Sequence, residues 1–270
     1  MRLPLFASSD SPEPTYVYAR RSRRAGGLCL GLDLAPNRGC NWGCVYCDTV
    51  EQQAEGPEID QEQLERELGL ALDRMGTADF ADGEGPRAVL VSGSGEPTHC
   101  YDLPKSVETL AKVLGERGLA GQIPTILVTN GERISERRSR AAIETLSGLD
   151  GQVWYKLDTA TREGLKELNA TGTILRAVRN NLRVAAENLP TWLQTCVFNV
   201  DGAPSLDEEG RAAYVALVKS QLSAKVPIRG VQLYAPHRPA PGDRVSAPDE
   251  GWVRELEQEL SGHLPVQTWL

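Results

Sequence analysis

The chain has 270 residues, 40% of them hydrophobic and 24% charged, enough for one large α/β domain with a sizeable core and outside the range of collagen-like, coiled-coil or wholly disordered chains. Its 37 acidic and 29 basic residues give a net charge of −8, the opposite of what a general nucleic-acid coat or an anionic membrane footprint calls for. No apolar run reaches the roughly 20 residues of a spanning helix, and the opening stretch MRLPLFASSDSPEP has no signal-like apolar segment, so a cytoplasmic location with no membrane partner is expected.

Short β-rich apolar runs alternate with helical patterns along the chain, the signature of βα units around a parallel sheet. The first strand is expected over 28–34, followed by a helix over 61–75 with Leu64, Leu68, Ala71, Leu72 and Met75 on one face. Strands over 88–92 and 125–129 follow, with helices over 106–117 and 135–146. The fourth strand spans 152–157 and leads into helical sequence to about residue 187; the fifth spans 191–198, then a helix over 207–222, and the sixth spans 231–234. The Pro-rich stretch 237–247 is loop, and a helix over 249–260 and a short strand over 266–269 close the chain. Six βα units predict an α/β fold with an open or complete barrel over 27–236, an N-terminal extension over 1–26 and a C-terminal extension over 237–270.

In such architectures reactive groups collect at the C-terminal ends of the strands. Cysteines, glycines and charged residues stand there in this chain: APNRGCNWGCVYCD, GSGEPTH, NGER, KLDT, QTCVFN and APHRP follow or end the six strands in turn. Two basic stretches, Arg20–Arg21–Arg23–Arg24 and Arg133–Arg137–Arg138–Arg140, read as solvated faces or helix-end charges.

Three of the six cysteines, Cys40, Cys44 and Cys47, fall within eight positions after the first strand. Three thiolates on one loop suit a soft, electron-rich metal centre. Structural zinc takes four ligands, usually as two spaced pairs, and no second pair follows at that spacing. A distant Cys or His completing a structural zinc site is the alternative. Cys29, Cys100 and Cys196 read as buried small side chains.

Cys40-x3-Cys44-x2-Cys47, with Tyr46 just before the third cysteine, resembles the radical S-adenosylmethionine (radical SAM) enzymes. Gly93-Ser94-Gly95-Glu96-Pro97 is similar to that family's GGEP motif, with Ser94 where the family carries glycine. The longer matches LGLDLAPNRGCNWGCVYCDT, GSGEPT, VTNG and KLD most resemble the wybutosine-synthesis-related group. The resemblance implies a partial (β/α)6 barrel, a [4Fe–4S] cluster on Cys40, Cys44 and Cys47, and SAM chelating the open iron. It further implies reductive cleavage of SAM to a 5′-deoxyadenosyl radical that abstracts hydrogen from a substrate, in a net oxidoreductase or lyase reaction. Cofactor contacts are implied for Tyr46, Gly93, Ser94, Gly95 and Glu96, and for Asn130, Lys156, Asp158 and Gln194 further along.

The substrate is expected near Trp154, Trp192, His99, Tyr234, His237 and Arg238. It is a small molecule, a protein or an RNA, the last disfavoured by the net charge, and the electron donor is expected to be a flavodoxin or ferredoxin. Glycyl-radical activating enzymes and tRNA-base-modifying enzymes share the same motifs and stay open as alternatives.

Overall fold

The computed structural model describes residues 2–3, 5, 14–36, 39–47, 51–52, 58–78, 80–236 and 244–270. Two short strands open the chain, β1 (Arg2–Leu3) and β2 (Val17–Ser22), followed by β3 (Gly27–Leu32), β4 (Gly39–Cys40), β5 (Glu51–Gln52) and helix α1 (Gln61–Arg74). Then come β6 (Ala88–Val91), α2 (Leu103–Glu116), β7 (Thr125–Thr129), α3 (Arg137–Ser147) and β8 (Gly151–Lys156). The helical sequence after β8 divides into α4 (Arg162–Leu168) and α5 (Leu175–Asn188), ahead of β9 (Thr191–Cys196) and the small strands β10 (Asn199–Val200) and β11 (Ala203–Pro204). The chain ends with α6 (Glu208–Ser223), β12 (Ile228–Tyr234), β13 (Val245–Ser246), α7 (Glu250–Ser261) and β14 (Val266–Trp269).

One sheet carries the order β1-β2-β3-β6-β7-β8-β9-β12-β14. Its first two pairings are antiparallel, and β3 through β14 run parallel. This is the partial barrel that the resemblance implied, with β14 as a seventh parallel strand at one edge. Both faces of the parallel strands are covered, which explains runs as apolar as Ala-Val-Leu-Val in β6. The convex face buries Val89, Val91, Leu127, Val153, Leu193, Val231 and Leu233 under the helices, each such side chain contributing about 1.5–3 kcal/mol. The concave face carries Cys29, Ala88, Leu90, Ile126 and Trp154, with Val128 and Trp192 packed on them.

Strand β2 was not expected from the sequence, whose first strand was 28–34. Its three arginine and serine positions mask the alternation, and a feature distant in sequence fixes it. Glu67 on α1 accepts hydrogen bonds from the backbone N–H groups of Thr15, Tyr16 and Val17, so the helix holds the strand's entry in place. The strand tilt that a curled sheet requires then brings the β2–β3 turn, at one edge, beside the ends of β12 and β14 at the other. Arg23 donates to the Leu270 carbonyl at 2.8 Å, and the Arg24 guanidinium lies 4.0 Å from the Tyr234 ring centre.

Candidate active site

The cysteine loop leaves β3 and is held on both sides by loops from other strands. Glu132, just past β7, accepts from Asn41 Nδ2 at 2.7 Å and from Trp42 Nε1. Asn130 Nδ2 donates to Asn41 Oδ1 at 2.9 Å. On the other flank the carbonyls of Leu168 and Asn169 accept from Val45 N and Gly43 N at 2.9 and 3.0 Å. The next residue, Ala170, has φ +46, a strained left-handed conformation for a residue with a Cβ.

Cys40, Cys44 and Cys47 are each half-buried and near enough to influence one another electrostatically. Donors point at two of the sulfurs: Trp42 N to Cys40 Sγ at 3.5 Å, and Asn169 Nδ2 to Cys44 Sγ at 3.2 Å. Burial, reinforced by Glu96, pushes the Cys40 thiol up to about 12; burial, reinforced by Asp158, does the same to Cys44. These thiols stay protonated at neutral pH unless a cation draws off the protons. Among the described residues no three or more His, Cys, Asp or Glu side chains gather as the ligands of one metal ion do.

The GSGEP loop after β6 packs directly against the cysteine loop. A Cβ on Gly95 would lie 2.0 Å from the Gly39 carbonyl oxygen and 2.6 Å from Ala35 Cβ; one on Gly93 would lie 2.1 Å from Asp33 Oδ1. The two glycines are thus required for loop-on-loop contact. Ser94 binds the buried Asp33, its backbone N–H to Oδ1 at 3.0 Å and its hydroxyl to Oδ2 at 2.7 Å. That bond gives the serine in the motif a physical role. Gly95→Ala is expected to lower stability by about 1–3 kcal/mol and to reduce iron uptake; unchanged melting temperature and iron content would show that the loops tolerate separation.

Glu96 is buried, and burial raises its carboxyl above the usual range against the pull of four hydrogen bonds. Oε1 accepts from Thr98 N at 2.9 Å, Thr98 Oγ1 at 2.7 Å and Thr129 Oγ1, and Oε2 accepts from Asn130 N at 2.7 Å. The carboxylate therefore ties the β6 loop to the end of β7. Oε2 retains acceptor capacity for a further donor.

Asp158 receives four donors. Oδ1 accepts from Lys156 Nζ at 3.1 Å and Cys196 N at 2.9 Å; Oδ2 accepts from Asn169 Nδ2 at 2.9 Å and from the Tyr46 hydroxyl. Lys156 also donates to the Tyr234 hydroxyl. Burial by itself lowers the Lys156 ammonium, but Asp158, Tyr234 and Cys196 outweigh it and hold the lysine above its ordinary value. Tyr46 packs on Phe198 with ring centres 5.2 Å apart, and Lys156 Nζ lies 5.1 Å from the Tyr46 ring centre.

Gln194 occupies the same register row as Lys156 and donates to Gln232 Oε1 at 2.9 Å. Its own buried Oε1 has no hydrogen-bond partner among the described residues. Cys29 and Cys100 are buried as expected, whereas Cys196, also buried, adjoins Lys156 and Asp158. His99 is buried in the turn that follows Glu96. His237 and Arg238 lie outside the described residues.

The Radical SAM superfamily model matches residues 34–217, more than half of the chain. The chain belongs to the radical SAM superfamily. Solved structures agree on the fold. A radical SAM methyltransferase from Sphaerobacter thermophilus superposes with a TM-score of 0.64 at 13% identity, over 94% of this chain and 69% of that one. SuiB of Streptococcus suis, bound to S-adenosylmethionine, gives 0.59 at 16% over 86% of this chain and 48% of its own. TYW1 with a lysine–pyruvate adduct gives 0.58 at 17%, over 87% and 74%. This chain thus spans about half the length of SuiB. A curated relative, the GTPase Obg of Brachyspira hyodysenteriae, is 25% identical over 124 residues, 44% of this chain and 16% of that protein.

Radical SAM enzymes use a [4Fe–4S] cluster and S-adenosylmethionine, and the residues present fit both. Three half-buried thiols with N–H donors aimed at two of them suit cluster thiolates, which such donors stabilise. The free capacity of Glu96 Oε2 and the glycine-lined loop suit an ammonium group, and Lys156 suits a carboxylate. Sequence reasoning missed Asp33, Glu132 and Asn169, which carry the loop contacts. Asp33 had a signal, being the acid in the LDLAP stretch, and Glu132 one in the NGER strand end; neither Glu132 nor Asn169 could be matched to its cysteine-loop partner, which lies more than 80 residues away.

Proposed function

We propose that this chain is a radical SAM enzyme in which Cys40, Cys44 and Cys47 hold the [4Fe–4S] cluster and the half-barrel holds a substrate for hydrogen abstraction. When bound and reduced, the cluster supplies the electron that divides SAM into methionine and a 5′-deoxyadenosyl radical. One observation carries the reading: segments from four successive strand ends, after β3, β6, β7 and β8, are joined by hydrogen bonds and brace the loop that bears the three thiols.

The chain's own residues have separable tasks in this reading. The GSGEP loop and Glu96 bind and orient the SAM amino group. Lys156, kept as an ammonium by Asp158, faces its carboxylate, and Tyr46 supplies an aromatic wall. Trp154, Trp192 and Leu90 line the concave face and exclude water from the abstraction site. Lys156 is a half-buried lysine beside the rim, and its charge suits holding an anion rather than forming an adduct like the one in the TYW1 structure.

The enzyme would work in the cytoplasm with a one-electron donor of the flavodoxin or ferredoxin class; no described helix is long and apolar enough to cross a membrane. The net charge of −8 favours a small molecule or protein over RNA as substrate. A GTPase role lacks support, because the phosphate-binding pattern Gly-x4-Gly-Lys-Ser/Thr does not occur in the sequence.

The test is anaerobic reconstitution with iron and sulfide, followed by dithionite and SAM, with 5′-deoxyadenosine measured by mass. A brown protein that forms 5′-deoxyadenosine is the expected result. A colourless protein that carries zinc and forms none would return the cysteines to a structural role.

A further inference from the structure

Half of the first basic stretch is not a solvated face. Arg21 and Arg23 are exposed, Arg21 pairing with Glu84 and Arg23 with the Leu270 carbonyl. Arg20 and Arg24 turn the other way. Arg20 shares a face of β2 with buried Tyr18 and Ser22, and its register partner is Cys29 of the concave cluster. Arg24 reaches across the open seam of the half-barrel, 4.0 Å from the centre of the Tyr234 ring and 5.6 Å from that of Trp154.

Among the described residues both guanidiniums keep a nitrogen shut off from solvent without a hydrogen-bond acceptor: Nε of Arg20 and Nη1 of Arg24. They are close enough to repel each other, and the other groups that act on Arg24 are Tyr234 and Cys196, not a carboxylate. Asp158, linked to Tyr234 through Lys156, already serves four donors. Both arginines are half-buried, and a cationic nitrogen shut off from solvent without an acceptor is costly. Beside them lies a cavity of about 80 Å³ lined by residues 20–24, Tyr234, Ala235 and Trp269. It is large enough to admit the oxygens of an acid group. Guanidinium forks match the oxygens of carboxylates and phosphates.

From this juxtaposition we propose that Arg20 and Arg24 form an anion subsite in the seam, which grips the carboxylate or phosphate of the substrate and leaves the rest of that molecule on the concave face. The subsite rests on the reading of the half-barrel as a substrate chamber. It is built from the β2–β3 turn and the ends of β12 and β14, and it adjoins the Lys156–Tyr234 pair without including the cysteine or GSGEP loops.

The test is titration of the full-length protein, as purified and after reconstitution, with inorganic phosphate and separately with acetate at constant ionic strength. Neither reductant nor SAM is present, so a failure here bears on the seam and leaves the cluster chemistry to its own assay. Calorimetry and tryptophan fluorescence report binding, the latter because Arg24 lies over Trp154. Saturable one-to-one binding of at least one of the two anions is expected, and the better ligand identifies the acid. Arg24→Gln and Arg20→Gln should each weaken it between about tenfold and a hundredfold, with Arg24→Lys intermediate.

Melting temperature separates this from a packing role: relief of like-charge repulsion should leave Arg24→Gln as stable as the parent, or more so. No saturable binding of either anion, undiminished binding in both Gln variants, or a marked loss of stability in Arg24→Gln would each overturn the proposal. So would one-for-one displacement of the anion by added SAM, which would assign the seam to the cofactor's own carboxylate.

Discussion

Replacing Cys44 by alanine should reduce 5′-deoxyadenosine formation to the background seen without reductant, while the circular dichroism of the sheet and helices stays unchanged. The thiol is half-buried on a loop held through its backbone by Leu168 and Asn169, and through the Asn41 and Trp42 side chains by Asn130 and Glu132, rather than by its own sulfur. Removing the sulfur therefore costs little folding energy, about 1 kcal/mol, yet it deletes one of the three proposed cluster ligands. Iron content measured after anaerobic reconstitution should fall with the activity. Asn169→Ala provides a graded control. It keeps all three thiols and removes the donor to Cys44 Sγ at 3.2 Å together with the bond to Asp158 Oδ2, and loss of such an outer partner lowers cluster affinity about 10- to 100-fold. A folded Cys44→Ala protein that cleaves SAM at the parental rate would remove the cysteine triplet from the chemistry.

The largest effect on stability is expected at Asp158. Asp158→Asn should lower the unfolding free energy by about 3–5 kcal/mol, the usual cost of removing one member of a buried ion pair. Its side chain is fully buried against a Lys156 side chain that is 15% exposed. The substituted amide has one oxygen and a donating NH2 where four donors converge. At least one donor among Lys156, Cys196 N–H, Tyr46 and Asn169 must then go unsatisfied. Because Tyr46 and Asn169 touch the cysteine loop, iron uptake should also fall. Urea unfolding followed by circular dichroism checks the first effect, and the double variant Lys156→Met/Asp158→Asn checks the cause. Removal of the orphaned ammonium should restore part of the loss. A single variant within about 1 kcal/mol of the parent would mean that the pair is not buried in solution as it is here.

Much of the fold was legible because its signals are local. Strand runs such as Ala88–Val91 and Thr125–Thr129 are apolar on both faces, and the helix at Gln61–Arg74 repeats its leucines at one-turn spacing; both properties are complete within a dozen residues. The same holds for the cysteine triplet and for GSGEP, where spacing and small size are visible without a partner. The expected roles of individual polar residues were less legible. Asn130, expected beside the cofactor, uses its amide to bridge the cysteine loop and Glu132, and Glu96 binds Thr98, Thr129 and Asn130.

Composition, periodicity and motif spacing alone determined the α/β class, the run of βα units and the close spacing of three cysteines after the first strand; the partial barrel came from the family resemblance. Tertiary structure alone decided that β2 joins the sheet through Glu67 and that Asp33, Glu132 and Asn169 brace the rim. It also decided that Arg20 and Arg24 face inward while Arg21 and Arg23 face solvent. The physical reason is one of range. A side chain's secondary structure follows from its neighbours in sequence, but its partner follows from strand tilt and register, which bring together edges more than 200 residues apart.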